Sequence, residues 1–162
     1  MKKIFLDSNI FDTFKTNPEL RGLFDNAQNL KLIEPIITHV NLDQISRMPD
    51  SKSESRSSIL SVINPFSTVS TFGHIDGISR QGWSAPAPQE ALKEILGEQT
   101  LTVSNLEDAL QAATALNESS LFITNDHRLW NRCNQLKNYS AMKEEEFEIF
   151  LRDLILSYSK NS

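Results

Sequence analysis

Apolar residues along the chain alternate between short uninterrupted runs and longer stretches of helical spacing, and this alternation predicts the elements. Ile4-Phe5-Leu6, within Lys2 to Leu6, reads as a short buried strand. A helical stretch is expected from Asn9 to Phe14, and Pro18 opens a second helix whose Leu20, Leu23 and Phe24 fall on one side. Lys31 to Ile37 reads as a second strand, its regularity limited by Pro35. Thr38 is expected to cap a helix that runs to about Met48, ahead of Pro49.

Residues 50–58 (DSKSESRSS) are polar enough to begin as a loop, before a helix through Ile59, Leu60 and Ile63. Residues 64–88 read as a long loop or a strand-containing insertion, with a strand near Ser67 to Thr71 and an exposed stretch around Trp83. A helix is expected from Gln89 to Leu96. Ser104, with Glu107 three positions on, has the form of a capping box opening a helix through Leu106, Leu110, Ala113 and Leu116. Leu121 to Thr124 reads as a strand, His127 begins another helix, and Tyr139 to Met142 reads as a last strand. Phe147, Phe150, Leu151, Leu154 and Ile155 line a final amphipathic helix. Strands alternating with helices predict one α/β domain over residues 1–162, with a central parallel sheet covered by helices on both faces.

Composition narrows the class. The chain has 162 residues, 39% hydrophobic and 23% charged, which suits an ordinary globular protein. No run approaches the roughly 18 apolar residues of a membrane span. The start MKKIFLDSN offers a short apolar stretch after two lysines, and Asp7 cuts it off before it reaches signal-peptide length. Cys133 is the only cysteine, so no internal disulfide or cysteine pair for zinc is available, and cytoplasm is the expected location. The net charge of −5 excludes a broadly basic nucleic-acid coat. A carboxylate cluster neutralised by metal ions is compatible with that charge.

Such a cluster is legible. Parallel α/β sheets bind ligands outside the carboxyl ends of their strands. Asp7 directly follows the strand KIFL, and Asp126 follows LFIT with Asn125 between. Asp108 lies in the first turns of the helix opened by Ser104, and Ala109, Ala112, Ala113 and Ala115 thin that helix so that it can approach the sheet. Each aspartate also has a plain reading as a helix cap or dipole partner. Together they offer hard oxygen ligands of the kind magnesium and manganese prefer.

The segments KIFLDSNIF, LEDALQAATAL and LFITNDHRLW resemble those of a PIN domain, as in VapC-type toxins of bacterial toxin–antitoxin pairs. The resemblance implies a three-layer α/β/α fold and Mg2+- or Mn2+-dependent endonucleolytic cleavage of RNA. It further implies that Asp7, Asp108 and Asp126 bind the ion, with Asn9, Thr124 and Asn125 supporting them. An antitoxin protein and a homodimer are the partners it suggests.

The second acid of the resembled pattern should lie in THVNLDQISR, where Gln44 stands before Ile45. Gln44 and Asp43 point about 100° apart on a helix. Gln44 is four residues from both Val40 and Met48 and should face inward with them, while Asp43 should point away. An amide is a weaker, neutral ligand. Two readings follow: an active nuclease that tolerates Gln44 or recruits Asp43 by a small helix rotation, or a PIN-fold RNA- or protein-binding module with impaired catalysis.

Other constellations are thinner. A phosphatase of the haloacid dehalogenase type needs a second aspartate where Asn9 stands, and a receiver domain needs paired acids after the first strand. His39, His74 and His127 lack ligand spacing. Arg128 and Arg132 share a helix face and could grip RNA phosphates or merely solvate the helix. Trp83 could stack on a base or anchor its loop.

Overall fold

The computed structural model describes residues 1–69, Lys93, Ile95, Gly97, 103–118, 120–137 and 139–161. Five strands are present among them: β1 (Lys2–Leu6), β2 (Ile33–Thr38), β3 (Ser67–Val69), β4 (Leu121–Ile123) and β5 (Ala141–Met142). They form one sheet in the order β3-β2-β1-β4-β5, and every neighbouring pair is parallel. Helices α1 (Ile10–Thr16), α2 (Pro18–Asn29), α3 (His39–Ser46), α4 (Ser53–Ile63), α5 (Val103–Asn117), α6 (His127–Gln135) and α7 (Glu144–Asn161) connect and cover the strands. Among the described residues no helix is long and apolar enough to cross a membrane.

The pleat of the sheet explains its two cores. Ile4 and Leu6 of β1, Ile37 of β2 and Ile123 of β4 face one layer, built from α1, α2, α4 and α7. Phe5, Ile36 and Phe122 face the other, where Ala109, Ala112 and Ala115 of α5 and Leu129 and Cys133 of α6 pack. In the first layer Phe24 is fully buried, with ring centroids 4.9 Å from Phe14, 5.8 Å from Phe66 and 6.4 Å from Phe147. A large apolar side chain buried this fully contributes about 1.5–3 kcal/mol relative to exposure. In the second layer the small alanines let α5 lie close to the sheet.

Several expected boundaries move for identifiable reasons. α1 extends past Phe14 to Thr16, where Asn17 both ends it and caps α2 by accepting the Leu20 N–H at 3.0 Å. The strand expected from Lys31 begins at Ile33, because Lys31 sits at φ 56° in the turn that ends α2. Pro35 fits inside β2 because β3 pairs with β2 only from Ile36 onward, past the residue that lacks an N–H. α3 stops at Ser46, short of Met48.

The polar stretch 50–58 is not a loop. A single 3-10 turn, Asp50–Lys52, leads into α4 at Ser53, and Arg56 ties the turn down through the Met48 carbonyl at 2.9 Å and Asp50 at 3.3 Å. α5 already includes Val103, so Ser104 stands inside its first turn rather than ahead of it as a cap. The last strand is only Ala141–Met142. Lys93 and Ile95 are helical. The rest of the helix expected from Gln89 to Leu96, the end of the strand expected to Thr71, His74 and Trp83 lie outside the described residues.

Candidate active site

The chain leaves β1 toward β2 on one side of the sheet and later returns to β4 on the other, so the strand order switches between β1 and β4. Crevices at such a switch point bind ligands beyond the carboxyl ends of the strands. Asp7 follows β1 here, and its backbone N–H is held by the Ile123 carbonyl of β4 at 2.9 Å. Thr124 follows β4 and donates its hydroxyl to Asp7 Oδ2 at 2.7 Å. Asn9 Nδ2 donates to the same oxygen at 2.8 Å, and the Ser8 N–H donates to Oδ1 at 2.7 Å.

Asp126 opens α6. Its Oδ1 accepts the N–H groups of Arg128 at 2.8 Å and Leu129 at 3.1 Å, and its own N–H is held by Thr124 Oγ1 at 3.1 Å. Both helix-capping bonds therefore fall on one oxygen. Asn125 is exposed and braces the rim: its N–H goes to Asn9 Oδ1 at 3.1 Å, its amide to Thr13 Oγ1 at 2.9 Å, and it accepts the Glu144 N–H at 3.1 Å.

Asp108, half-buried on α5, completes the trio electrostatically. Burial pushes its carboxyl up to about 7, and the charges of Asp7, Asp126 and Glu107 add to the rise while Arg128 opposes it. Burial also raises Asp7, assisted by Asp126 and opposed by the hydrogen bonds from Thr124, Ser8 and Asn9. The charges of Asp7 and Asp126 thus reach Asp108, and that of Asp126 reaches Asp7, a repulsion that a cation would relieve.

α3 faces α5 across a polar seam. Asn41 is fully buried, and its Nδ2 donates to the Leu6 carbonyl at 3.2 Å, Ser8 Oγ at 3.1 Å and Gln111 Oε1 at 2.7 Å. Gln44 turns inward. Its Oε1 accepts from the Ser8 hydroxyl and from Gln111 Nε2 at 3.4 Å, and its Nε2 donates to Glu107 Oε2 at 3.1 Å. The second oxygen of Glu107 accepts from the Arg47 guanidinium. Asp43 is exposed, and its backbone carbonyl accepts the Arg47 N–H at 3.0 Å. Sequence reasoning passed over Asn41 and Gln111 and read Glu107 only as a capping residue. Three polar residues in helical register with Gln44 or with one another were the available signal.

The two arginines diverge. Arg128 is exposed and its charge acts on Asp108, whereas the Arg132 guanidinium donates to the Ile95 carbonyl and lies against Gly97. His127 stacks on Trp130 at 5.6 Å and shares a 2.6 Å contact with Lys143 Nζ.

Donor chemistry decides how a metal could fit. The trio offers oxygen alone, suited to magnesium or manganese. Among the described residues no three His, Cys, Asp or Glu side chains are arranged to close around one ion. Magnesium commonly keeps several waters and takes only one or two carboxylates directly. An open, partly hydrated site fits this arrangement, and a closed all-protein cage does not.

No protein-family model matches the chain, and no curated protein matches it. Among solved structures it is similar to the crystal structure of VapBC2 from Rickettsia felis bound to a DNA fragment from their promoter. The TM-score is 0.51 at 16% identity, over 87% of this chain and 98% of that chain. The likeness is one of fold: the parallel sheet with helices on both faces is a PIN-like α/β/α arrangement.

Proposed function

We propose that this chain is a divalent-metal-dependent endoribonuclease that hydrolyses RNA phosphodiester bonds. The observation that carries the reading is the gathering of acids at the switch point between β1 and β4: Asp7 after β1 and Asp126 at the start of α6 are tied through the Thr124 hydroxyl, and their charges help raise the half-buried carboxyl of Asp108 on α5. Perturbed groups gathered in a cleft are a physical mark of a functional site. Asp7, Asp108 and Asp126 would hold Mg2+ or Mn2+, directly or through water. When bound, such an ion supplies an activated water and stabilises charge that develops on the phosphodiester. Thr124 and Asn9 fix the Asp7 carboxylate by donating to Oδ2, and Asn125 holds Asn9 in turn. Arg128 is our candidate for phosphate contact. Arg132 is a weaker one, because its guanidinium is engaged by Ile95.

The VapBC2 likeness supports a toxin-type role, with an antitoxin protein as partner and a second copy of the chain as a further candidate. A second reading, a PIN-fold binding module with impaired catalysis, is favoured by one observation: α3 presents the amide of Gln44, not a carboxylate, to the site. Thermal unfolding with and without manganese separates the two. For a nuclease, Mn2+ should raise the melting midpoint of the parent and leave Asp7→Asn and Asp126→Asn unmoved. Equal midpoints for the parent with and without Mn2+ would favour the binding module.

A further inference from the structure

We propose that the stacked pair His127–Trp130 is a platform for one unpaired base of the RNA, beside the acidic trio. This rests on the nuclease reading above and adds to it a place for the base of a nucleotide next to the cleaved bond.

α6 starts at the trio and fixes the pair relative to it. Asp126 caps the helix, His127 follows directly, and the Trp130 N–H donates to the Asp126 carbonyl at 2.9 Å. Positions 126 and 130 therefore share one side of the helix. The two rings lie 24° from parallel with centroids 5.6 Å apart. Lys143, just ahead of α7, holds both of them. Its Nζ is 4.6 Å from the Trp130 ring centroid and 2.6 Å from His127 Nδ1. An ammonium can only donate, so Nδ1 accepts and Nε2 carries the ring proton. Glu146 Oε2 accepts the Trp130 indole N–H at 3.0 Å and the Lys143 backbone N–H at 2.9 Å. The next backbone N–H, that of Glu144, donates to Asn125 Oδ1 at 3.1 Å. The pair is thus tied to the rim of the acids from α6 and from the start of α7.

This is more order than a surface position needs. His127 is exposed and Trp130 half-buried, so the part of the His127 ring that Trp130 does not cover stays open. Holding these rings costs the Lys143 side chain its rotamer freedom, with little burial in return. Rings fixed in advance lower the cost of binding a flat partner. Charge narrows the choice of partner. The trio is acidic, whereas Arg128 and Lys143 beside the rings are cationic, a combination suited to an anion that carries a flat aromatic group. A nucleotide is such a molecule. Single-stranded RNA is recognised by bases splayed out onto aromatic side chains, histidine among them. A base inside a duplex has both faces covered, so the platform selects an unpaired one, and stacking of this kind tolerates any of the four bases.

Binding of an end-labelled single-stranded RNA, read by fluorescence anisotropy in an Asp7→Asn background that the nuclease reading makes inactive, tests this apart from turnover. A matched strand with abasic positions keeps every phosphate and lacks the bases. His127→Ala should weaken binding of the intact strand about 10-fold, the loss of one stacked base, and leave binding of the abasic strand unchanged. His127→Phe keeps a ring and should restore most of the loss, a rescue that a contact to the backbone would not give.

Parent-like binding in His127→Ala, an equal loss on the abasic strand, or a His127→Phe variant as weak as His127→Ala would each overturn the platform. The outcomes also separate it from the reading beneath it. If the parent shows Mn2+-dependent cleavage and His127→Ala binds RNA normally, only the platform fails. If the chain cuts no RNA but its RNA binding depends on the ring at position 127, the platform stands and the nuclease reading fails. If the chain binds no RNA, both fail.

Discussion

Thr124 and Asp7 are joined by a 2.7 Å hydrogen bond in which the hydroxyl donates to Oδ2, and the same hydroxyl oxygen accepts the Asp126 N–H at 3.1 Å. One side chain thus fixes the acid after β1 and the backbone of the acid that opens α6. Thr124 is fully buried, so neither bond is shared with water. Thr124→Val keeps the shape and removes the hydroxyl. It should destabilise the chain by about 1–3 kcal/mol, the usual cost of leaving a buried polar group unsatisfied. Chemical denaturation measures this, and an unchanged midpoint would contradict the role given to the hydroxyl.

The charge strain on Asp108 makes stability depend on pH. Its carboxyl is raised from 3.8 to about 7 in the folded chain, so the folded state holds this proton more tightly than the unfolded state. The resulting stability is fully present below 3.8 and is lost as pH rises through about 7. Without metal, Asp108→Asn should melt close to the parent at pH 4 and above it at pH 8. The expected gap at pH 8 is at least about 2–4 °C, the shift that 1 kcal/mol gives in a chain of this size. A gap that is absent at pH 8, or larger at pH 4, would contradict the assigned direction.

Gln111 is fully buried and closes the seam by accepting from Asn41 at 2.7 Å. Gln111→Leu removes the shortest of the three hydrogen bonds from Asn41 Nδ2 and one of the two made to Gln44 Oε1. A loss of about 1–3 kcal/mol is expected in equilibrium unfolding, together with weaker Mn2+ binding because Asn41 and Gln44, the partners of the Ser8 hydroxyl, are held less firmly. A gain in stability would show that the polar groups of the seam do not constrain one another.

Ala112 lies fully buried between α5 and the sheet, and its carbonyl accepts the Tyr139 hydroxyl. Ala112→Leu should cost about 1–3 kcal/mol by overpacking and should move Asp108 away from Asp7. The second effect is read as a fall of the Asp108 titration point toward the ordinary carboxylate range in carboxyl-detected NMR. A variant that keeps both its stability and the raised titration point would show that α5 does not depend on small residues for its approach.

Much of this architecture was legible where burial leaves an apolar imprint. Ile4-Phe5-Leu6 marks β1 because both of its faces are covered, and the inward turn of Gln44 follows from its spacing to Val40 and Met48. The seam left no such imprint. Asn41, Glu107 and Gln111 are buried against one another's polar groups, and hydrophobic periodicity treats polar positions as solvent-facing. Glu107 was further hidden by Ser104, whose spacing imitates a capping box although the helix begins at Val103. The start of α4 was missed for a related reason. Its first turns are serine-rich and exposed, and only Ile59 and Ile63 are buried against the core.

The central claim is that the Asp7–Asp108–Asp126 trio binds a divalent ion and thereby cleaves RNA. Its most direct measurement is cleavage of an end-labelled single-stranded RNA by the purified chain with Mn2+ present, with chelator present, and in Asp7→Asn. Cleavage is expected only in the parent with Mn2+. The variant should be slower by about 100-fold or more, on the order of the effect of removing one group that stabilises transition-state charge. Cleavage that survives chelation, or that Asp7→Asn leaves intact, would contradict the claim.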